Sequence, residues 1–440
     1  MWLGWYANAQ LSVVNVVTFT NALVSGFHWE FFLAAPLVFI LWAAVAAALL
    51  YWGRGPFCGW LCPFGALQEL LHDAAKALHV PQFNVPWTVH ERLWPIKYMI
   101  FLGLFGLSLY SVALAETFAE VEPFKTAIIL KFNREFMFIA IALLWLLPGL
   151  FIERFFCRYL CPINSYISLY STAGRVMVRA VSPQPCSTCS ERFCLTGSAK
   201  GWGCPYGLCV GELDRNNDCG ACMECVKTCA YDNVAVFWRN EGRDTQIANY
   251  GEAWQAIVMF ALACLYCVTN FGAWDKVRDW IDIVDKSNWA TFGVYAAAVW
   301  TGCLVVLPLL WYAGTKAGLA VSRSTLSAGD QFRATAAALI PIGLACWIAF
   351  ALGTSLSMMT FVLQSLSDPF NWGWNLLGMA GSRWHIIWSA GIPWLQAIAV
   401  VIGFAFALPT LTRCWRFEGG RAAGASGTGS RHRPPGTGGR

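Results

Sequence analysis

Residues 183–230 read PQPCSTCSERFCLTGSAKGWGCPYGLCVGELDRNNDCGACMECVKTCA. They hold Cys186, Cys189, Cys194, Cys204, Cys209, Cys219, Cys222, Cys225 and Cys229, half of the 18 cysteines in the chain. The last four form a C-x2-C-x2-C-x3-C run. Three thiolates on one tight loop can cap three corners of an iron–sulfur cube, and the fourth follows on the next turn. Zinc sites usually take two separated C-x2-C knuckles, so this spacing favours a [4Fe–4S] cluster. The preceding residues Asp214, Arg215, Asn216, Asn217 and Asp218 are polar loop formers, which leaves little core in which inert cysteines would pack.

The upstream half is a degenerate partner of this run. Cys186, Cys189 and Cys194 stand where a first loop would stand, with a wider last gap, and Cys204 is followed by Pro205. In two-cluster ferredoxins the fourth cysteine of each run serves the other cluster. One scheme therefore gives Cys186, Cys189, Cys194 and Cys229 to one cluster and Cys219, Cys222, Cys225 and Cys204 to a second. The alternative keeps each group of four to itself. Cys209 is left over in both.

The chain as a whole is 57% hydrophobic and 12% charged, against about 25% charged residues in a soluble domain. The expected fold is mainly α: a polytopic membrane protein of about seven transmembrane helices with a cytoplasmic ferredoxin-like α+β iron–sulfur insert. The expected spans are 31–52, 94–115, 135–152, 254–271, 289–312, 334–356 and 386–410. In domain terms, residues 1–30 form an outer-face interfacial segment and 31–170 a three-helix membrane unit. Residues 171–250 form the iron–sulfur domain, 251–412 a four-helix membrane unit and 413–440 a disordered tail rich in Gly, Ser, Arg and Pro. No cleavable signal peptide is evident at the N-terminus.

Orientation follows from Lys and Arg. With the cysteine-rich insert inside, the segments 53–93, 153–252, 314–333 and 412–440 carry 22 of the 30 basic residues, and the opposite segments carry 7. That bias places the N-terminus in the periplasm and both the insert and the C-terminus in the cytoplasm of a bacterial inner membrane. A reducing cytosol favours cysteines as ligands over disulfides. Cys264, Cys267, Cys303 and Cys346 fall within spans and read as small apolar packing residues. The mild net charge of +5 gives no nucleic-acid footprint. None of the six histidines sits mid-span, so haem is not expected.

One repeat stands out. GPFCGWLCPFGALQEL (residues 55–70) matches RFFCRYLCPINSYISL (residues 154–169): both read F-C-x-aromatic-L-C-P after an inward-running span and lead into helical periodicity. Each C-x3-C pair is expected on one helix face, one turn apart, with Pro63 and Pro162 kinking the chain just beyond. Cys58, Cys62, Cys157 and Cys161 would then converge at the inner membrane face to hold a metal or a further Fe–S centre, or one pair would be redox-active. Arg54, Arg154 and Arg158 stand beside these thiols and favour thiolate.

The paired C-x3-C-P motifs together with the cysteine-rich run resemble the NosR/NapH group of membrane polyferredoxins, over roughly residues 1–240. GWYANAQLSVVNVVTFTNAL (residues 4–23) and WGRGPFCGWLCPFGALQEL (residues 52–70) are most similar to the membrane part of NosR. The resemblance implies electron transfer towards periplasmic nitrous oxide reductase for NosR-type proteins and quinol oxidation for NapH-type proteins. NosR carries an outer flavin domain with bound FMN. This chain starts almost at the membrane, so neither is expected here.

The expected function is thus one-electron transfer through [4Fe–4S] clusters, two in the insert, between the quinone pool or a cytoplasmic donor and a respiratory partner. The alternative is a redox assembly factor for a metalloenzyme, since related C-x3-C-P membrane ferredoxins are implied in copper-enzyme maturation. His28 and His385 near the outer surface read as ordinary interfacial side chains, with a proton-accepting role at an outer quinol site as the alternative, and Trp372, Trp374, Trp384 and Trp388 read as an interfacial aromatic belt.

Overall fold

A computed structural model describes residues 2–6, 10–14, 36–83, 85–110, 115, 117–213, 215, 217–238, 247, 249–268, 276–277, 280, 289–324, 326–357, 359–383, 385 and 388–424. The chain is mainly helical, and every expected span is helical over most of its described length. The helices are Pro36–Trp52, Ile96–Tyr110, Phe136–Leu146, Tyr250–Val268, Trp289–Thr301, Leu339–Ser357 and Ile392–Gly424. Residues 31–35, 111–114, 269–271 and 386–387 of the expected spans lie outside the described residues, as do His28 and Trp384.

Among the described residues, three stretches are long and apolar enough to cross a membrane: Trp289–Val321, Ala328–Gly353 and Ser389–Thr412. The first continues past its expected end at residue 312 because a π turn, Gly302–Val306, passes the chain into Leu307–Val321 without a break. The third expected span is shorter than read. Its α-helix stops at Leu146 and becomes a 3-10 turn, Leu147–Leu150, because Pro148 has no N–H to continue the ladder. An 11-residue helix covers only about 16 Å of the roughly 30 Å hydrocarbon layer. The last helix runs on through residues 413–424, the first part of the expected tail. Leu339–Ser357 packs against Ile392–Gly424, where Gln396 Nε2 donates to the Ala349 carbonyl at 3.0 Å.

The cysteine-rich stretch is closed at its base by an antiparallel pair. β1 (Val176–Ala180) runs against β2 (Val234–Trp238) in the register Val176↔Trp238 to Ala180↔Val234. Between them lie short helices, Pro183–Thr188, Phe193–Thr196 and Glu224–Thr228, and connecting turns. Val178, Val210, Cys225 and Val234 form a small buried core.

The structure differs most from expectation at the segments assigned to the outer face. Leu11 and Val13 are buried, and Phe124, Ala127 and Ile128 join the same core as Phe64 and Phe156 of the C-x3-C-P motifs. The Phe64 and Phe124 rings lie 4.9 Å apart. Residues 10–13 and 119–129 thus fold back onto the motifs. Charge counting assigns loops to alternate faces and cannot register a loop that turns back into its own core.

Candidate metal centres

Both C-x3-C-P motifs fold alike, but not as one continuous helix face. Cys58 lies in a π turn, Pro56–Leu61, and Cys157 in a short helix, Phe155–Tyr159. The chain then breaks at the second cysteine rather than beyond the proline. Cys62 (φ −65°, ψ 113°) and Cys161 (φ −65°, ψ 108°) are extended and become the caps of new helices, Pro63–Ala77 and Pro162–Tyr170. Proline excludes the helical conformation from the residue before it and fits the first helical position, where no N–H is needed. The exposed N–H groups of each new helix meet the cap sulfur: Gly65 N donates to Cys62 Sγ and Asn164 N to Cys161 Sγ, both at 3.4 Å.

The two motifs face each other across a small cavity lined by Arg54, Cys58, Cys62, Cys157, Cys161 and Tyr206, together with Phe57, Phe124, Ile163 and Asn164. All four motif cysteines are therefore brought together. Two glutamines hold the sulfurs. Gln68 Nε2 donates to Cys157 Sγ at 3.1 Å while its carbonyl accepts from Phe156 N at 3.2 Å. Gln10 Nε2 reaches Cys62 Sγ at 3.7 Å and its carbonyl accepts from Phe64 N at 3.2 Å. Burial pushes Cys58 up to about 11 and Cys157 to about 12, against the pull of the neighbouring arginines. The arginines alone therefore do not make these thiols thiolates. A bound cation would.

In the cysteine-rich segment the side chains fall into two groups. One cavity is lined by Cys186, Cys189, Cys194, Cys209 and Cys229, with Arg192, Val210 and Asn233 among its other walls. Asn233 ties its two ends: its Nδ2 donates to Cys186 Sγ at 3.3 Å and its N–H to Cys229 Sγ at 3.4 Å. Cys204, Cys219, Cys222 and Cys225 do not line this cavity. Burial pushes both Cys204 and Cys225 up to about 12. Cys229 thus lines the cavity of the upstream cysteines, and Cys204 does not.

The donor chemistry in all three places fits an iron–sulfur centre: soft sulfurs with backbone N–H groups aimed at several of them. Among the described residues, no three His, Cys, Asp or Glu side chains close on a single point. Sulfurs arrayed around a cavity suit a cube that takes one thiolate at each corner better than one tetrahedral ion.

The segment docks directly on the first C-x3-C-P motif. Gly59 has no side chain because the Gly220 carbonyl occupies the place of a Cβ, and Trp60 Nε1 donates to the Ala221 carbonyl at 3.0 Å. Arg54, fully buried, bonds the Asp218 carbonyl, the Cys219 carbonyl and the Asn164 side chain. Arg154 donates to Glu69 Oε1 at 2.5 Å and to the Cys58 carbonyl at 2.7 Å. The ring of Tyr206 lies against both guanidiniums, 4.6 Å from that of Arg54 and 4.9 Å from that of Arg154. Its hydroxyl donates to the Cys58 carbonyl at 3.1 Å. Burial opposes ionisation of Asp218, yet Lys97, Arg215 and Arg54 together hold its carboxyl below the usual range. Arg215 continues this chain to Glu252, at 2.9 Å.

Tyr206, Gln68, Gln10 and Asn164 are not singled out by sequence. Tyr206 follows the Cys204–Pro205 pair, and that position was its one available signal. His72 is buried and meets the Gly149 carbonyl at 3.1 Å, and His90 meets the Tyr159 hydroxyl at 2.9 Å. His385 is exposed, with Nδ1 on the Arg383 carbonyl. Its expected partner His28 is outside the described residues.

The family described as "4Fe-4S binding domain" matches residues 34–81 and 135–176, the two C-x3-C-P units. Regulatory protein NosR of Pseudomonas aeruginosa is 51% identical over 231 residues, 52% of this chain and 31% of that protein. Protein NirI of Paracoccus denitrificans is 49% identical over 223 residues, 51% of this chain and 32% of that protein. Ferredoxin-type protein NapH of Escherichia coli is 24% identical over 214 residues, covering 46% of this chain and 70% of the protein. The chain spans about a third of the length of its NosR and NirI relatives. No solved structure matches it.

Proposed function

We propose that this chain, which is a NosR/NapH-type iron–sulfur membrane protein, carries electrons one at a time through three cysteine-ligated centres. They run between the quinone pool or a cytoplasmic donor and a respiratory partner. Cys186, Cys189, Cys194 and Cys229 hold one [4Fe–4S] cluster, and Cys204, Cys219, Cys222 and Cys225 hold a second. Cys58, Cys62, Cys157 and Cys161 hold a third centre between the two C-x3-C-P motifs. When bound, these groups supply one-electron reduction and oxidation without proton chemistry. The membrane unit is read as seven spans of a bacterial inner membrane, with the cysteine-rich domain and C-terminus cytoplasmic.

The observation that carries the reading is the contact between Gly59 and Gly220. The loop bearing Cys219 and Cys222 lies backbone to backbone on the turn bearing Cys58. Tyr206, two residues after Cys204, itself lines the cavity of the four motif cysteines. Gly59, Gly220 and Tyr206 make the contact between the second group and the third. The residues between them hold position and charge. Arg54 and Arg154 place two buried cations beside the third cavity, where they favour the reduced, more negative state of any centre there.

Anaerobically purified, dithionite-reduced protein is expected to contain about twelve iron and about twelve acid-labile sulfide per chain, with magnetically coupled EPR signals. About eight would remove the C-x3-C-P centre and leave those thiols structural or redox-active. Absence of iron would overturn the electron-carrier reading.

A further inference from the structure

We infer that Gln10 and Gln68 are positioning residues for the C-x3-C-P centre. Each directs one amide N–H at a ligand sulfur, Gln10 at Cys62 and Gln68 at Cys157, and together they raise the potential at which the centre takes up its electron. This rests on the reading of Cys58, Cys62, Cys157 and Cys161 as a centre. Hydrogen bonds to ligand sulfurs help to set an iron–sulfur potential, because they stabilise the extra negative charge of the reduced state.

Neither amide is free to turn over. The Gln68 carbonyl accepts from Phe156 N at 3.2 Å. A backbone N–H can be met only by the amide oxygen, so Nε2 is left facing Cys157 Sγ at 3.1 Å. The Gln10 carbonyl accepts from Phe64 N at 3.2 Å, while its Nε2 donates to the Leu11 carbonyl at 2.9 Å and reaches Cys62 Sγ at 3.7 Å. Gln10 is 3% exposed and Gln68 1%, so water does not compete for these donors. The repeat does not supply them symmetrically. Cys62 and Cys161 are helix caps and receive backbone donors from Gly65 and Asn164. Cys157 lies within Phe155–Tyr159, and the amide that meets it crosses from Pro63–Ala77, the helix of the other motif. Ile167 stands where the second motif would carry the counterpart of Gln68, so the second amide comes from outside the repeat. Its segment is latched in place: Ser12 Oγ and Val13 N both donate to Oε2 of the buried Glu122, at 2.5 and 2.9 Å. The fold-back of residues 10–13 thereby delivers a donor to the centre.

The test is a redox titration followed by EPR, with iron and sulfide content, on the full chain purified anaerobically. The proteins compared are wild type, Gln68→Met, Gln68→Glu, Gln10→Met and the Gln10→Met/Gln68→Met double variant. Methionine keeps the length of the side chain and removes the donor. Glutamate still offers an acceptor to Phe156 N, so a role confined to holding the backbone would survive it. Every variant is expected to keep wild-type iron. Gln68→Met is expected to lower the reduction equilibrium constant of the C-x3-C-P centre about tenfold, about 59 mV for one electron. Gln68→Glu should shift it at least as far, and Gln10→Met less, because its contact is longer. The two shifts should add in the double variant, since they act on different sulfurs. Unmoved midpoints in the other two centres report that each variant has folded. Full iron with an unmoved C-x3-C-P midpoint in both Gln68 variants overturns the proposal. Selective loss of about four iron also overturns it, since the glutamines would then hold the motif together and not set its potential. A wild type with only about eight iron overturns the underlying reading and this proposal with it, and is recognised before any variant is made.

Discussion

Gly59→Val is expected to uncouple the cysteine-rich domain from the membrane motif while leaving most iron in place. A Cβ at this position would coincide with the Gly220 carbonyl oxygen, which is backbone and cannot rotate away. The side chain can be accommodated only if the 219–222 loop lifts off the Pro56–Leu61 turn. Lifting breaks the Trp60 Nε1 bond to Ala221 and withdraws the Cys219 and Asp218 carbonyls from Arg54. Overpacking of this kind costs about 1–3 kcal/mol, so the variant should fold with a lowered Tm. Its clusters keep their thiolates. Electron passage between the second and third centres should fall at least about tenfold, since docking alone sets their separation. Stopped-flow reduction of the two EPR signals checks this: in wild type they are reduced together, and in Gly59→Val one lags. Gly103→Ala is the control. Gly103 has no atom near its missing Cβ and lies inside Ile96–Tyr110, so alanine there is expected to be neutral or stabilising. Unaltered kinetics in Gly59→Val would show that the contact is not the electron route.

The helical frame was legible because apolar runs of this length have few other solutions, and the C-x3-C-P repeat was legible because the residues recur at fixed offsets. The role of the prolines was read one residue late. Sequence shows that a proline interrupts, but whether it ends a helix or begins one depends on the preceding residue, and Cys62 and Cys161 are both extended caps. The fold-back of residues 119–129 onto Phe64 and Phe156 was not legible. Its apolar side chains, Phe124, Ala127 and Ile128, are too few for a span, and an isolated short apolar run reads equally well as an interfacial loop. Nor was the Gly59–Gly220 contact. A glycine in a turn advertises conformational freedom, whereas here it is needed for proximity to a backbone 161 residues away, which no local pattern encodes. Arg54 and Arg154 were read as promoters of thiolate. Arg54 bonds the Asp218 and Cys219 carbonyls and Arg154 the Tyr206 hydroxyl, so both also tie the cysteine-rich segment to the membrane unit.

Arg215→Leu is expected to be the most destabilising single substitution in this junction. Glu252 is fully buried at the start of Tyr250–Val268, and Arg215 supplies its countercharge with bonds of 3.2 and 2.9 Å to the two carboxylate oxygens. Asn217 Nδ2 adds a third bond at 3.0 Å, but it is neutral. Removing one partner of a buried pair costs about 3–5 kcal/mol, because the other charge is left without compensation. The same substitution releases Asp218, which Arg215 NH2 meets at 3.4 Å and which precedes the first cysteine of the downstream run. Loss of stability and loss of the Cys219 loop should therefore appear together, as a lowered Tm and a thermal release of iron that precedes global unfolding. Glu252→Gln is expected to cost less than Arg215→Leu, since a neutral amide can still accept from Asn217 while Arg215 retains Asp218. In the double variant Arg215→Leu/Glu252→Leu no buried charge at residue 252 is left unpaired, and most of the loss should be recovered. If the double variant is as unstable as Arg215→Leu alone, the pair is not what fixes the loop. Asp218, held by Lys97 at 3.3 Å and by Arg54, would then carry the junction by itself.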